Sequence, residues 1–202
     1  MGFRWRWSWR LPGCVPSACT CFAARLDDRF RLLAAGKRGG PARQQTLRAV
    51  IDWSWELATE PEHIVLRRLA VHADGCTLTA AEEVCAEHGV ERADVANLLA
   101  RLVDRSLVVV TDGTGEPRYR LLESVAAYCV ERLREAGELE RVQRRHRRFY
   151  TVLAEQARPQ LRGHAQRQWL ERLDRETANV HSALDGAIRH GEVLLALRLA
   201  AQ

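Results

Sequence analysis

Lysine is almost absent from this sequence. Of the 31 basic residues only Lys37 is lysine, and the others are arginine. Beside abundant alanine, that skew has the look of compositional bias. The net charge of +5 and the pI near 9.1 therefore speak to solubility and non-specific association before they speak to a binding surface. Long apolar runs are missing too: none approaches the roughly 18–20 residues that a membrane-spanning helix needs. Motifs that carry chemistry are equally scarce. No Gly-x-x-x-x-Gly-Lys-Ser/Thr occurs, so no loop of that kind cradles phosphate ahead of a helix. Gly36-Lys37-Arg38-Gly39-Gly40 lacks both the preceding strand and the hydroxyl residue after lysine, and reads as a linker. Neither Gly-x-Ser-x-Gly nor His-Glu-x-x-His is present. Cysteines fall at 14, 19, 21, 76, 85 and 129 with no Cys-x-x-Cys spacing, and zinc-site arithmetic fails. Cys85 and Cys129 fall on apolar faces, where a thiol behaves as a small hydrophobe. A reduced, cytoplasmic protein is expected.

The titratable residues show no pattern of a reaction centre. His146 lies on an apolar helical stripe, where a packed histidine is the expectation. His63, His72, His88, His164, His181 and His190 are placed near helix ends or on solvent faces. Carboxylates come mainly as Glu/Arg helical pairs such as Glu131 and Arg134, worth only a few tenths of a kcal/mol. A non-enzyme is expected, with no cofactor and no metal held by this chain.

What the chain does carry is helical periodicity around one short β element. Residues 1–24 stand apart: Arg and Trp alternate over 3–10, and prolines and cysteines follow. No uninterrupted apolar core of a secretory signal is present, and the prolines break any interfacial helix, so the stretch reads as disordered or mis-started. Residues 25–43 read as a short helix and a linker. Residues 44–137 read as a winged helix-turn-helix domain. Its first helix covers 44–58, with Leu47, Val50, Ile51, Trp55 and Ala58 at helical spacing. Thr59 and Glu62 have capping-box spacing, and the next helix is predicted to run to about 73, with Val65, Leu66, Leu69 and Ala73 inward, ended by Asp74 and Gly75. Thr79 and Glu82 suggest a second capping box. Over 94–104, Val95, Leu98, Leu99, Leu102 and Val103 form one stripe. Strands are predicted over 107–110 and 119–122, joined by the Gly-rich turn 112–117. Ser124 is placed as the cap of a helix to Ala136, with Val125, Tyr128, Cys129 and Leu133 as its stripe and Gly137 closing it. Residues 138–202 read as helical hairpins of the tetratricopeptide kind, truncated within a helix. The fold class is thus mainly α: a winged helix-turn-helix with a small β-hairpin wing, followed by helical-hairpin repeats.

Two functions remain open for the winged helix. As a DNA reader it would use the exposed face of the 94–104 helix, offering Asn97 and Arg101, with Arg105 following and Arg118 on the wing. That face also carries Asp94 and Asp104, and readers of DNA usually show more uncompensated positive charge. The alternative is a protein-facing surface built from the same residues.

Several segments, in order, resemble bacterial STAND-type ATPase regulators of the LuxR/AfsR-like kind, which have an NB-ARC-like nucleotide-binding module. They are Leu26-Asp-Asp-Arg-Phe-Arg-Leu-Leu33, the stretch from Arg43 to Leu57, Leu99-Ala-Arg-Leu-Val-Asp-Arg-Ser-Leu-Val108, and the run from Arg118 to Tyr128. Trp169 to Leu173 and Asn179 to Leu184 resemble the family's entry into tetratricopeptide-like repeats. The resemblance implies a winged helix that packs on a nucleotide-binding domain, in cis or in trans, and repeats that sense an inducer or a partner. ATP or ADP is expected only in a full-length relative. Leu121, Leu122 and Glu123 stand where related proteins carry Met-His-Asp, so the family's histidine contact to nucleotide does not carry over. The expected function is a non-catalytic regulatory fragment of a transcriptional regulator, with a stand-alone winged-helix DNA-binding protein as the alternative. The expected partner is protein, with DNA second and no membrane.

Overall fold

The computed structural model describes residues 42–111 and 116–200. The Arg/Trp stretch, the helix predicted over 26–33, the linker, Cys14, Cys19, Cys21, most of the wing turn and the last two residues lie outside the described residues. Contacts divide the chain between Val50 and Ile51. Residues 42–50 are the opening turns of helix α1 (Ala42–Glu56), and residues 51–202 cluster as one unit.

Within that unit α1 ends on Ile51, which is buried, and Trp55, which packs beside the core. The Trp55 ring stacks on His63 with centroids 4.2 Å apart, and His63 Nε2 lies 2.7 Å from the Trp55 carbonyl. Helix α2 (Glu60–Leu69) starts at Thr59, and the predicted capping residue is in place. Glu62 reaches back to accept the Thr59 N–H at 2.6 Å and its hydroxyl at 2.9 Å. Val65, Leu66 and Leu69 face inward as predicted. The helix stops four residues sooner than the periodicity suggested, and Ala73 is exposed. The reason is a strand the sequence reading missed. Gly75 takes φ +70° and turns the chain into β1 (Cys76–Thr77), which pairs antiparallel with β3 (Arg118–Arg120). Thr77 is both the last residue of that strand and the N-cap of helix α3 (Leu78–Cys85), its hydroxyl accepting from the Ala80 N–H at 3.3 Å. The cap is therefore Thr77 and not Thr79: extended backbone is available at the strand's end, where the hydroxyl can reach an open amide.

A Cβ at Gly75 would stand 2.6 Å from the Tyr119 carbonyl oxygen, on a backbone with positive φ. Gly75→Ala combines left-handed strain with a clash against the sheet. We expect a loss of at least about 2 kcal/mol, read as a lowered urea midpoint with an unchanged slope.

A 3₁₀ turn, Arg92–Asp94, leads into helix α4 (Val95–Asp104), with Val95, Leu98, Leu99 and Leu102 buried. Ser106, at φ +58°, reverses the chain so that Leu107 and Val108 enter the core before β2 (Val109–Thr111) begins. β2 pairs with β3, giving the sheet order β1-β3-β2. The predicted hairpin strands are each displaced by one or two residues, and the third strand supplies the support that a lone hairpin lacks. Helix α5 (Glu123–Glu135) buries Val125, Tyr128, Cys129 and Leu133, the predicted stripe. Its N-cap is Leu122, with no side-chain cap; Ser124 already lies within the helix.

Helix α6 (Leu139–Gln160), helix α7 (Gln166–Arg189) and helix α8 (Val193–Ala200) follow. Pro159 lies inside α6, in its last turn, and the helix ends one residue after it. Arg147, one of several arginines on α6, is buried. It bonds Glu192 at 2.9 Å through two nitrogens and Glu140 at 3.0 Å, and its stem lies across Gly186, where a Cβ would come within 3.0 Å. That contact sets how closely α7 approaches α6. Among the described residues no helix is long and apolar enough to cross a membrane.

Candidate functional site

Two surfaces compete for function: the outer face of α4 with the wing, and the seam where α6 and α7 meet the winged helix.

On α4 the buried stripe leaves Asp94, Asn97, Arg101 and Asp104 exposed. Arg105, just past the helix, is turned back. Its guanidinium donates to the Leu57 carbonyl and stands 3.4 Å from the buried Glu62 carboxylate. Burial pushes the Glu62 pKa up, but the Thr59 bonds and the charges of Arg105 and Arg101 outweigh it and hold the carboxyl below its usual range. Arg105 thus clasps the junction between α1 and α2 to the end of α4. Arg118 is committed elsewhere. It donates to both oxygens of Glu176 on α7, at 2.5 and 3.3 Å, and to the carbonyls of Asp74 and Gly75 at 3.2 and 3.1 Å. Of the four residues the sequence offered as an outward-facing set, only Asn97 and Arg101 stand together on one exposed face. What remains there is one guanidinium among two carboxylates.

Leu121 and Leu122 join β3 to α5, and Glu123 is the first residue of that helix. Leu122 is exposed, while Leu121 is half-buried against the core. Leu121 and Glu123 border a cavity of about 330 Å³ together with His72 and Gly75. Position 122, which the resemblance aligned with a nucleotide-touching histidine, offers an exposed aliphatic side chain with no polar atom for such a contact.

The seam is polar and buried. Asn179, fully buried on α7, accepts the Ala73 N–H at 2.8 Å and donates to the Gly75 carbonyl at 2.9 Å and to Glu176 at 2.8 Å. One amide side chain therefore satisfies the backbone of the turn before β1 and orients the carboxylate that holds Arg118. Behind it lie three rings. His72 Nδ1 is 3.2 Å from the Tyr150 hydroxyl, the His72 and His146 centroids are 5.1 Å apart, and His146 Nε2 is 3.5 Å from Asn179 Oδ1. Burial drives the His72 pKa well below its ordinary value, and His146 and Arg118 add to that. Burial also lowers His146 to about 4, against the bond from Asn179 that favours its charged form. Both rings are neutral at pH 7. His72 is therefore not at a solvent face, as its place past a helix end suggested. It is buried because α6 and α7 close over that end. Asn179 and Glu176 were missed as well. Their one signal is a polar pair three residues apart on the same helical face as Ala183 and Ala187.

A second buried anchor lies on α2 itself. Arg68, 1% exposed, donates to the carbonyls of Cys85 and Glu87 at 2.7 and 2.6 Å and to both oxygens of Glu138 at 3.0 Å. Burial opposes it, but Arg68 and Arg67 bring the Glu138 carboxyl down to about 2. These two clusters join α2, α3 and the start of α6, and the turn before β1 to α7.

Residues 59–134 match the winged helix-turn-helix domain model. The chain is 45% identical over 175 residues to proteins of Mycobacterium bovis and Mycobacterium tuberculosis, each named "Putative HTH-type transcriptional regulator"; the match covers 87% of this chain and 20% of theirs. It is 41% identical over 152 residues to an uncharacterized protein of M. tuberculosis, covering 69% of this chain and 38% of that one. The chain thus spans about a fifth of the length of the first of these relatives. No solved structure matches it.

Proposed function

We propose that these residues form a non-catalytic regulatory segment of a helix-turn-helix transcriptional regulator, in which the winged helix faces protein. Its partner surface is a nucleotide-binding domain of the STAND kind, supplied in cis or in trans, and the helices from α6 on serve protein interaction or inducer sensing. The observation that carries the reading is the fate of the arginines: Arg118 is held inside the fold by Glu176, and Arg105, though exposed, is turned onto the buried Glu62 carboxylate. The face left on α4 is Asn97 and Arg101 between Asp94 and Asp104, a mixed polar surface suited to a protein partner and poor at neutralising phosphates. The sequence resemblance to STAND regulators and the names of the mycobacterial relatives supply the regulatory setting.

The 202 residues carry no phosphate-cradling loop of their own, so the segment contributes to a nucleotide-linked switch only by packing on a partner that binds nucleotide. A calorimetric titration of the 202-residue chain with ATP and with ADP should show no saturable heat. Saturable binding of either would overturn the reading.

A second reading is direct DNA binding by α4. The winged helix-turn-helix match and the exposure of Asn97 and Arg101 favour it. It requires that Arg101→Ala weaken binding to duplex DNA.

A further inference from the structure

A groove on the side of α6 away from the His72 seam is built like a helix acceptor. Its floor is a single stripe of α6 at three- and four-residue spacing, running from Arg145 through Arg148, Phe149, Val152 and Leu153 to Gln156. The twelve residues from Arg145 to Gln156 give it a length of about 16 Å. Its walls are α3 on one side and α7 on the other, both packed on α6. The enclosed space is about 580 Å³. The centre of the floor is apolar and open, with Val152 45% exposed and Phe149 half-buried.

The charge on the groove is one-sided. Arg145 is anchored, donating to the Glu83 carbonyl at 3.0 Å and lying 3.5 Å from Glu87. Arg148 and Arg172 are different. Among the described residues neither has a carboxylate within ion-pairing distance, and Arg172 lies over the Trp169 ring at 5.0 Å. The one acid on the lining, Glu83, is paired with Arg92. Two guanidinium groups without a carboxylate partner therefore flank a short apolar strip, Phe149 and Val152, at the centre of a floor three turns long.

We propose that this groove receives an acidic amphipathic helix from a protein partner, its apolar stripe on Phe149 and Val152 and its carboxylates on Arg148 and Arg172. The match is one of charge and of length. An open groove of this length suits a helical segment read at successive turns, and the guanidinium groups supply the forks that carboxylates take in pairs. Phosphates of a nucleic acid would be met by the same arginines but would leave the apolar strip uncovered.

The test uses the 202-residue chain and a fluorescein-labelled peptide of about 16 residues with leucines at helical spacing flanked by glutamates. The control peptide has every glutamate replaced by lysine, and a third probe is labelled duplex DNA. Anisotropy should show saturable binding of the glutamate peptide only. Arg148→Glu/Arg172→Glu should weaken it at least tenfold and make the lysine peptide the preferred ligand. Val152→Glu, on the exposed floor, should weaken it as well while leaving the thermal melt unchanged. Failure of the glutamate peptide to bind, equal binding of both peptides, or DNA binding that the double reversal removes while the glutamate peptide is unaffected would each overturn the proposal.

Discussion

Arg68→Met should lower the unfolding free energy by about 3–5 kcal/mol, the scale of removing one partner from a buried ion pair. The side chain is enclosed, and its shortest bonds go to three groups: the carbonyl of Cys85 at the end of α3, the carbonyl of Glu87 in the next loop, and the Glu138 carboxylate at the start of α6. Methionine fills much of the volume and makes none of these bonds. The two carbonyls lose their donor, and Glu138 keeps only its contacts from Arg67 and Arg141, at 3.3 and 3.0 Å. Arg67→Met is the fitting comparison, because its pairs with Glu138 and Glu60 are longer and less enclosed; about 1 kcal/mol or less is expected there. Urea denaturation of both variants reads the difference. The double variant Arg68→Met/Glu138→Leu should recover part of the loss, since the stranded carboxylate goes with it. Equal effects of Arg68→Met and Arg67→Met would contradict the assignment of Arg68 as the anchor.

Acid should unfasten the same unit, beginning near pH 6.5. His72 and His146 are both held neutral in the fold, so the unfolded chain binds more protons than the folded one once pH drops below their ordinary value. Stability is flat above that point, falls as pH descends, and levels off below the folded-state values. For His146 the interval from 6.5 to about 4 corresponds to about 3 kcal/mol at its lower end. His72 acts in the same direction, with His146, Tyr150 and Arg118 around it. Glu138 adds a second, lower window. Its carboxyl is brought down to about 2, so it stabilises the fold above its ordinary value of 4.5 and ceases to do so as pH falls through the region between. Thermal melts from pH 7 to pH 4 should show a steady fall in Tm, and His72→Gln/His146→Gln should flatten that profile even if it lowers Tm at neutral pH. A wild-type profile that stays level down to pH 5 would contradict the placement of the two rings.

The elements with long apolar stripes were legible in the sequence. α4 buries four of the five residues predicted for it, with Val103 half-buried against the core, and α5 buries its whole stripe, since inward positions recurring over ten or more residues leave only one way to turn the helix. Thr59 and Glu62 were legible too, because a capping box is local chemistry. β1 was not: two residues have no period, and Cys76–Thr77 is a strand only because β3 lies beside it. The misplaced cap at Thr79 and the overlong α2 follow from that one omission. The candidate site failed differently. Residue type and helical position brought out Asn97, Arg101, Arg105 and Arg118, yet whether an arginine is available depends on partners far away in sequence. Glu176 is 58 residues from Arg118, and Leu57 is 48 from Arg105. Sequence spacing carries no trace of those pairs. It likewise left His72 at a helix end, with nothing to indicate that Tyr150 and His146 would cover it.

The protein-facing reading of the winged helix rests on how few positive charges its outer face retains. The most direct measurement is the affinity of the 202-residue chain for duplex DNA across a salt series, for the wild type and for Arg101→Ala. The retained charge predicts binding no tighter than about 10 μM near 0.15 M salt, with the same affinity and the same salt slope in the variant. Nanomolar binding that Arg101→Ala weakens by tenfold or more, with the slope falling by about one, would show that α4 reads DNA and would contradict it.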